Sequence, residues 1–208
     1  MGSTDDVLRL LEPLPGIDIP RDPVAVAAAT LNASASPPFL ANHAFRSFAW
    51  ASWFGRRDGI EVDRQQLWVA GVLHDIGLTS AGQGEDCFEV AGGAAAAAFL
   101  QGLVPEAAIE VVRRAIVLHM QPRVGLEEGA VAYLLDAGVS CDVSGRDYEA
   151  LDPAFRDAVL ERFPRHDFKR QFTSLIAAEA ARRPDCMAAT YMNELGLSER
   201  VAAARFAE

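Results

Sequence analysis

Apolar residues recur at three- and four-residue spacing along most of the chain, and no run of alternating β-branched residues interrupts them. The spacing predicts helices over residues 24–31, 39–57, 63–76, 88–102, 105–119, 127–143, 152–162, 167–183, 185–195 and 198–206. Their ends carry fitting residues. Asp63 and Asp167 stand at N-cap positions, Pro105 and Pro153 at first turns, and Gly77 and Gly145 just past the ends. Ser36-Pro37-Pro38, the polar loop 79–86, Pro122 to Gly125 and Pro184 separate the segments. Residues 1–22 read differently: a short helical piece, Val7 to Leu11, leads into Pro13, Pro15 and Pro20, which keep the chain extended or turning. With no internal repeat and no interdomain linker, the expectation is an all-α, single-domain helical bundle over 23–208, preceded by an N-terminal arm over 1–22.

Composition narrows the class. Half of the 208 residues are hydrophobic, and a domain of this size buries roughly 70 % of its unfolded surface, enough to fold without a disulfide or metal. Basic residues number 19 and acidic residues 29, a net charge of −10. That excludes a nucleic-acid binder, which needs a basic face, but not a small anionic ligand, which needs one local positive site. The longest apolar stretches, such as Ala94 to Leu100, fall short of the ~20 residues that span a bilayer. The start MGSTDDVLRLL is acidic, lacks the order of a signal peptide, and has Asp6 where the myristoylation pattern needs Ser or Thr. Cys87, Cys141 and Cys186 are odd in number and far apart, so no disulfide framework is expected and a reducing cytoplasm is the expected home.

Four histidines hold the candidate chemistry. His74-Asp75 ends the apolar run 67–73, and an ionisable pair at the end of a buried helix needs a cation or hydrogen bonds to compensate it. His43 and His119 also fall on apolar helices, where each reads alone as a core histidine or, for His119, a C-terminal cation. His166-Asp167 lies among Pro and basic residues and reads as a solvated helix start. Taken together, three imidazoles on separate apolar helices can converge on one point in a bundle, which is how bundles build metal sites. Of the carboxylates on 127–143, Asp136 and Asp142 point about 240° apart, so one metal can use only one of them. Asp142 sits near the helix C-terminus, where the dipole disfavours a carboxylate unless a cation offsets it. Phe39, Phe45, Trp50 and Trp68 read either as ordinary core or as walls of a small dry pocket.

In order along the chain, His43, His74-Asp75 and Asp142 give H…HD…D, which resembles the HD-domain superfamily of metal-dependent hydrolases. The segments PPFLANHAFRSFAW, LHDIGLT, CFEVAGGAAAAAFL, AIVLH, CDVSG and FPRHDFKRQF resemble its cyanamide-hydratase-like branch, over roughly residues 20–190. The resemblance implies His43, His74, Asp75 and Asp142 as ligands of one divalent metal, with Zn favoured and Fe, Mn, Co or Ni suited to the same donors. It also places Asn42 and Arg46 near the substrate, although Arg46 reads equally as a structural ion pair. Glu89 becomes an acid/base or supporting group, or else a plain first-turn carboxylate. His119 becomes a proton donor, or a ligand for a second metal, and Asp75 both holds the metal and orients water. The implied reaction adds metal-activated water to a small molecule, as in conversion of a nitrile carbon to a urea-type amide. One alternative is a phosphohydrolase acting on a small phosphomonoester or nucleotide, but Leu78 stands where nucleotide-cleaving members often have an acidic residue. A second alternative is a non-catalytic metal- or ligand-sensing module, which would signal here through a homo-oligomer, since no appended domain is seen.

Overall fold

The computed structural model describes residues 8–208, so the start of the predicted Val7–Leu11 piece lies outside the described residues. The rest is all-α: α1 (Pro23–Ala35), α2 (Pro38–Asp58), α3 (Arg64–Leu73), α4 (Phe88–Leu100), α5 (Glu106–Leu118), α6 (Ala130–Ser144), α7 (Pro153–Arg162), α8 (Phe168–Arg182), α9 (Met187–Asn193) and α10 (Leu197–Ala203). Asp63 caps as expected, accepting from the Gln66 amide, and Asp152 also caps, accepting from the Phe155 amide. Asp167 differs. It is in the left-handed region at φ 57° and makes no cap hydrogen bond. The predicted 127–143 helix is split, because Gly129 at φ 104° separates a 3-10 turn (Leu126–Glu128) from α6. The helix predicted to reach residue 76 stops at Leu73, and a 3-10 turn (Ile76–Leu78) follows His74-Asp75.

The helix α2 is the axis of the bundle, buried on nearly all sides and packed along α6, with α3 and α8 also against it. Two glycines set the spacing. A Cβ at Gly138 would collide with the Ser47 carbonyl oxygen, so glycine lets α6 approach α2 closely one turn before Asp142. A Cβ at Gly77 would collide with the Phe88 carbonyl, so the turn after His74-Asp75 nests against α4. Phe45, Trp50 and Trp68 lie in the core: Phe45 stacks on Trp68 and Phe163, and Trp50 on Phe206 near the C-terminus. Each fully buried phenylalanine stabilises the fold by about 1.5–3 kcal/mol. The described part of the arm is docked rather than loose. Leu11, Leu14, Ile17 and Ile19 are buried, and Leu14 and Ile17 pair through two backbone hydrogen bonds of 3.0 Å.

The cysteines correct the expectation. Cys87 and Cys186 form a disulfide, 99 residues apart in sequence with Cα atoms 5.6 Å apart, and Cys141 is free and buried. Tertiary packing brings the start of α4 to the start of α9, which no local cysteine spacing signals. Among the described residues, no helix is long and apolar enough to cross a membrane.

Candidate metal centre

One stripe of α2 carries His43, Arg46, Ser47 and Trp50, at positions i, i+3, i+4 and i+7, and all four are fully buried. His74 and His119 are the C-cap residues of α3 and α5. Each uses Nδ1 on a carbonyl of its own last turn: His74 on Gly71 at 2.8 Å and His119 on Ile116 at 2.5 Å. The rings thus bond the helix ends, which fix the rings in turn; the Ile116 carbonyl also accepts the His119 amide at 3.4 Å. His43 places Nδ1 2.8 Å from Asp142 Oδ2. The hydrogen-bond network thus assigns the Nδ1–H tautomer to all three neutral rings and leaves each Nε2 lone pair bare.

The bare nitrogens face one another. His43 Nε2 lies 3.2 Å from His74 Nε2. Asp75 Oδ2 lies 3.3 Å from His74 Nε2 and 3.6 Å from His43 Nε2, and Asp75 Oδ1 lies 3.6 Å from His119 Nε2. Two lone pairs aimed across 3.2 Å repel unless a cation or a proton lies between them. Donors around a tetrahedral zinc stand about 3.3 Å apart, given metal–nitrogen bonds of about 2.0–2.1 Å. Asp75 Oδ2 is buried and has no hydrogen-bond partner, which is costly for a carboxylate oxygen. His43, His74 and Asp75 together form a buried cluster whose donor atoms all lie within 4.8 Å of one another, a set able to hold a metal ion.

The electrostatics favour an ionised Asp75 and a neutral His43, and draw a proton towards His74. Burial lowers the His43 pKa by more than its hydrogen bond to Asp142 raises it. For Asp75, burial opposes ionisation, but the nearness of His74, His119 and His43 outweighs it and holds the carboxyl well below its ordinary range. Burial lowers His74 as well, yet the Asp75 charge prevails and the net shift is upward. A proton and a metal ion therefore compete for His74 Nε2.

Asp142 takes a different place from the one the H…HD…D pattern implies. Both its oxygens are occupied: Arg46 donates Nε and Nη2 at 2.8 Å each, Trp50 donates Nε1 at 2.9 Å, and Arg165 donates Nη1 at 3.3 Å. With the His43 bond, Asp142 stands behind His43 and not among the facing donor atoms. Burial opposes its ionisation, but Arg46 and Arg165 hold it well below the ordinary carboxylate range. Arg46, expected near the substrate, is fully buried. Its remaining nitrogen bonds the carbonyls of Phe163 and Pro164 at 3.0 and 3.2 Å, so its ion-pair reading holds. Asn42 likewise donates to the Pro164 carbonyl at 2.8 Å. Asp136 pairs with Arg146 at 2.7 Å, away from the cluster. Arg165 was missed because Pro164, His166 and Asp167 around it are exposed. The Arg165 guanidinium stacks between Phe168 and Phe206 at 4.6 and 5.0 Å, contacts that no local pattern signals.

A cavity of about 50 Å³ opens in front of His43, Asp75 and His119. That is room for about four water molecules. The stretch of α6 facing it offers Val139, Ser140, Val143 and Ser144, and α8 adds Phe172 and Ile176, so neither contributes a carboxylate. Phe39, Phe45, Trp50 and Trp68 do not line it. Glu89 is buried and does not line it either; burial pushes its pKa up, and its Oε2 has no partner. A larger surface groove, about 730 Å³, runs past Gly16–Asp18 and residues 60–64, but there Arg56 bonds the Gly16 carbonyl and Arg64 pairs with Asp18. Chemistry, not size, marks the smaller cavity as the site. The chain matches no family model, and no curated protein is significantly similar to it.

Proposed function

We propose that this chain is an HD-type, metal-dependent hydratase or hydrolase that adds water to an electrophilic carbon of a small molecule, similar to cyanamide hydratase. The observation that carries the reading is the pair of Nε2 atoms facing each other at 3.2 Å beside the unpartnered Asp75 oxygen. His43, His74 and Asp75 would hold one divalent cation, with His119 beside Asp75 as proton donor or further ligand. Imidazole and carboxylate donors suit Zn, with Fe, Mn, Co and Ni as alternatives. When bound, such a cation supplies Lewis acidity, which makes water acidic near neutral pH and polarises a substrate.

The chain's own residues supply the rest. Asp142 holds the His43 ring through Nδ1, and Arg46, Arg165 and Trp50 hold Asp142. Such support behind a ligand orients the ring and raises its basicity. Asp75 orients the attacking water through whichever oxygen lone pairs remain free. His119 delivers a proton to the substrate nitrogen, a task suited to histidine near neutral pH. In a nitrile, the water oxygen joins carbon, both protons end on the amide, and nothing leaves. The size of the cavity limits the substrate to a few non-hydrogen atoms.

The phosphohydrolase reading has less support, because the two guanidiniums nearest the cluster are both committed to Asp142. A screen of Zn-, Fe- and Mn-loaded protein against small nitriles and phosphomonoesters separates the two. Amide formation without phosphate release is expected, and phosphate release without amide formation would overturn the hydratase reading. His119→Gln is expected to retain metal and lose about 10²–10⁴-fold in turnover. Metal loss in that variant would make His119 a ligand instead.

A further inference from the structure

The cavity lining has two unlike parts. His43, Asp75 and His119 form one buried group, and Arg200, beside Tyr191 and Leu197, is the exposed charge on the same lining. Almost every polar hydrogen on its lining side chains is already committed. Ser140 donates to Asp136 Oδ1, Ser144 to the Ser140 carbonyl, and Tyr191 to the Gln121 carbonyl. The His43 and His119 nitrogens that face inward are bare. Arg200 remains. It makes no side-chain hydrogen bond or ion pair among the described residues, in a chain where acidic residues outnumber basic ones 29 to 19.

Charge points the same way. Behind His43, Arg46 and Arg165 are matched by Asp142 and Glu208, and Asp75 in front adds one negative charge. The more distant Glu179 is paired with Arg182 and Arg183, whose joint surplus balances Glu89. The stretch of α6 that faces the cavity adds no carboxylate. A divalent cation at the cluster therefore leaves one positive charge uncompensated, and the exposed Arg200 adds a second on the cavity lining. Buried charge of one sign demands a counter-charge.

We infer that the substrate is a small carboxylate, its anionic end held by Arg200 and its few remaining atoms reaching the His43–Asp75–His119 group. This rests on the metal-dependent reading above and names the substrate class for it. A carboxylate suits the single planar guanidinium, which can bind it through two parallel hydrogen bonds. A phosphate dianion calls for more donors than this wall offers.

The test is calorimetric titration of Zn-loaded protein with acetate, acetamide and inorganic phosphate at one pH and ionic strength, with bound zinc measured in the same samples. Acetate is expected to bind at least tenfold more tightly than acetamide. Arg200→Gln should lose at least tenfold in acetate affinity with acetamide unchanged, and Arg200→Lys should recover part of it. Arg200 is exposed, and both variants should keep the wild-type melting temperature and zinc content. Equal binding of acetate and acetamide, or full acetate affinity in Arg200→Gln, overturns this inference while the metal reading stands. Phosphate binding above acetate overturns the carboxylate assignment. Failure of the wild-type chain to hold zinc overturns both readings together.

Discussion

The two faces of the His43 ring are built on opposite principles. Behind Nδ1, Asp142 is enclosed by Arg46, Trp50 and Arg165, and both its oxygens accept hydrogen bonds. The one orphan on that side among the described residues, Arg165 Nη2, belongs to a guanidinium stacked between two aromatic rings. In front of Nε2, two bare nitrogens and a partnerless carboxylate oxygen face one another in an equally buried space. A fold has no reason to keep such a gap for stability, because each unsatisfied buried polar atom costs about 1–3 kcal/mol. The back of the ring stabilises and orients, whereas the front is left open for a cation.

Replacing residues on each side should break the comparison in opposite ways. Asp142→Ala leaves the buried Arg46 without a carboxylate and Arg165 with Glu208 alone, and is expected to destabilise by about 3–5 kcal/mol in chemical denaturation. The same carboxylate gives the fold an acid limb. Its folded pKa is depressed by Arg46 and Arg165, so its contribution is present above the ordinary carboxylate pKa of about 3.9 and is lost as pH falls below it toward the folded value. Asp142→Asn should flatten that limb.

On the cavity side, the Cys87–Cys186 bond ties the start of α4 to α9, which carries Tyr191. Closing a loop of 99 residues stabilises by up to about 4.7 kcal/mol in the chain-entropy account, and measured values commonly run at 2–4 kcal/mol. Reduction, or Cys186→Ser, should lower the melting temperature accordingly. Asp136→Asn removes a pair with the partly exposed Arg146 and should cost about 1 kcal/mol or less, with metal content unchanged. Asp75→Asn should abolish metal binding, yet cost the metal-free protein little stability at a pH high enough to keep His74 neutral, where Asp75 is a buried charge whose Oδ2 has no hydrogen-bond partner. A large loss of metal-free stability in Asp75→Asn would mean that the front of the ring is structural after all.

Much of this was legible in the sequence, and the remainder has identifiable physical causes. The helical spacing gives the bundle, and His43, His74-Asp75 and His119 on separate apolar helices give the residues that meet. What periodicity cannot give is which nitrogen of a ring faces which neighbour. Asp142 sits on the predicted helix, yet the Gly138 contact with α2 sets it behind His43. Arg165 was hidden because its aromatic partners come from residues 168 and 206, and the disulfide because its two cysteines lie on helices that meet only in the folded chain.

The most direct test is zinc titration of the demetallated protein, alongside Asp75→Asn and Asp136→Asn, across pH 5 to 8. The account predicts one tightly bound ion per chain in wild type and in Asp136→Asn, and none in Asp75→Asn. Affinity should weaken toward pH 5 as protons occupy the imidazole nitrogens. Stoichiometric binding that survives in Asp75→Asn, or a wild-type chain that takes up no divalent ion at neutral pH, would contradict it.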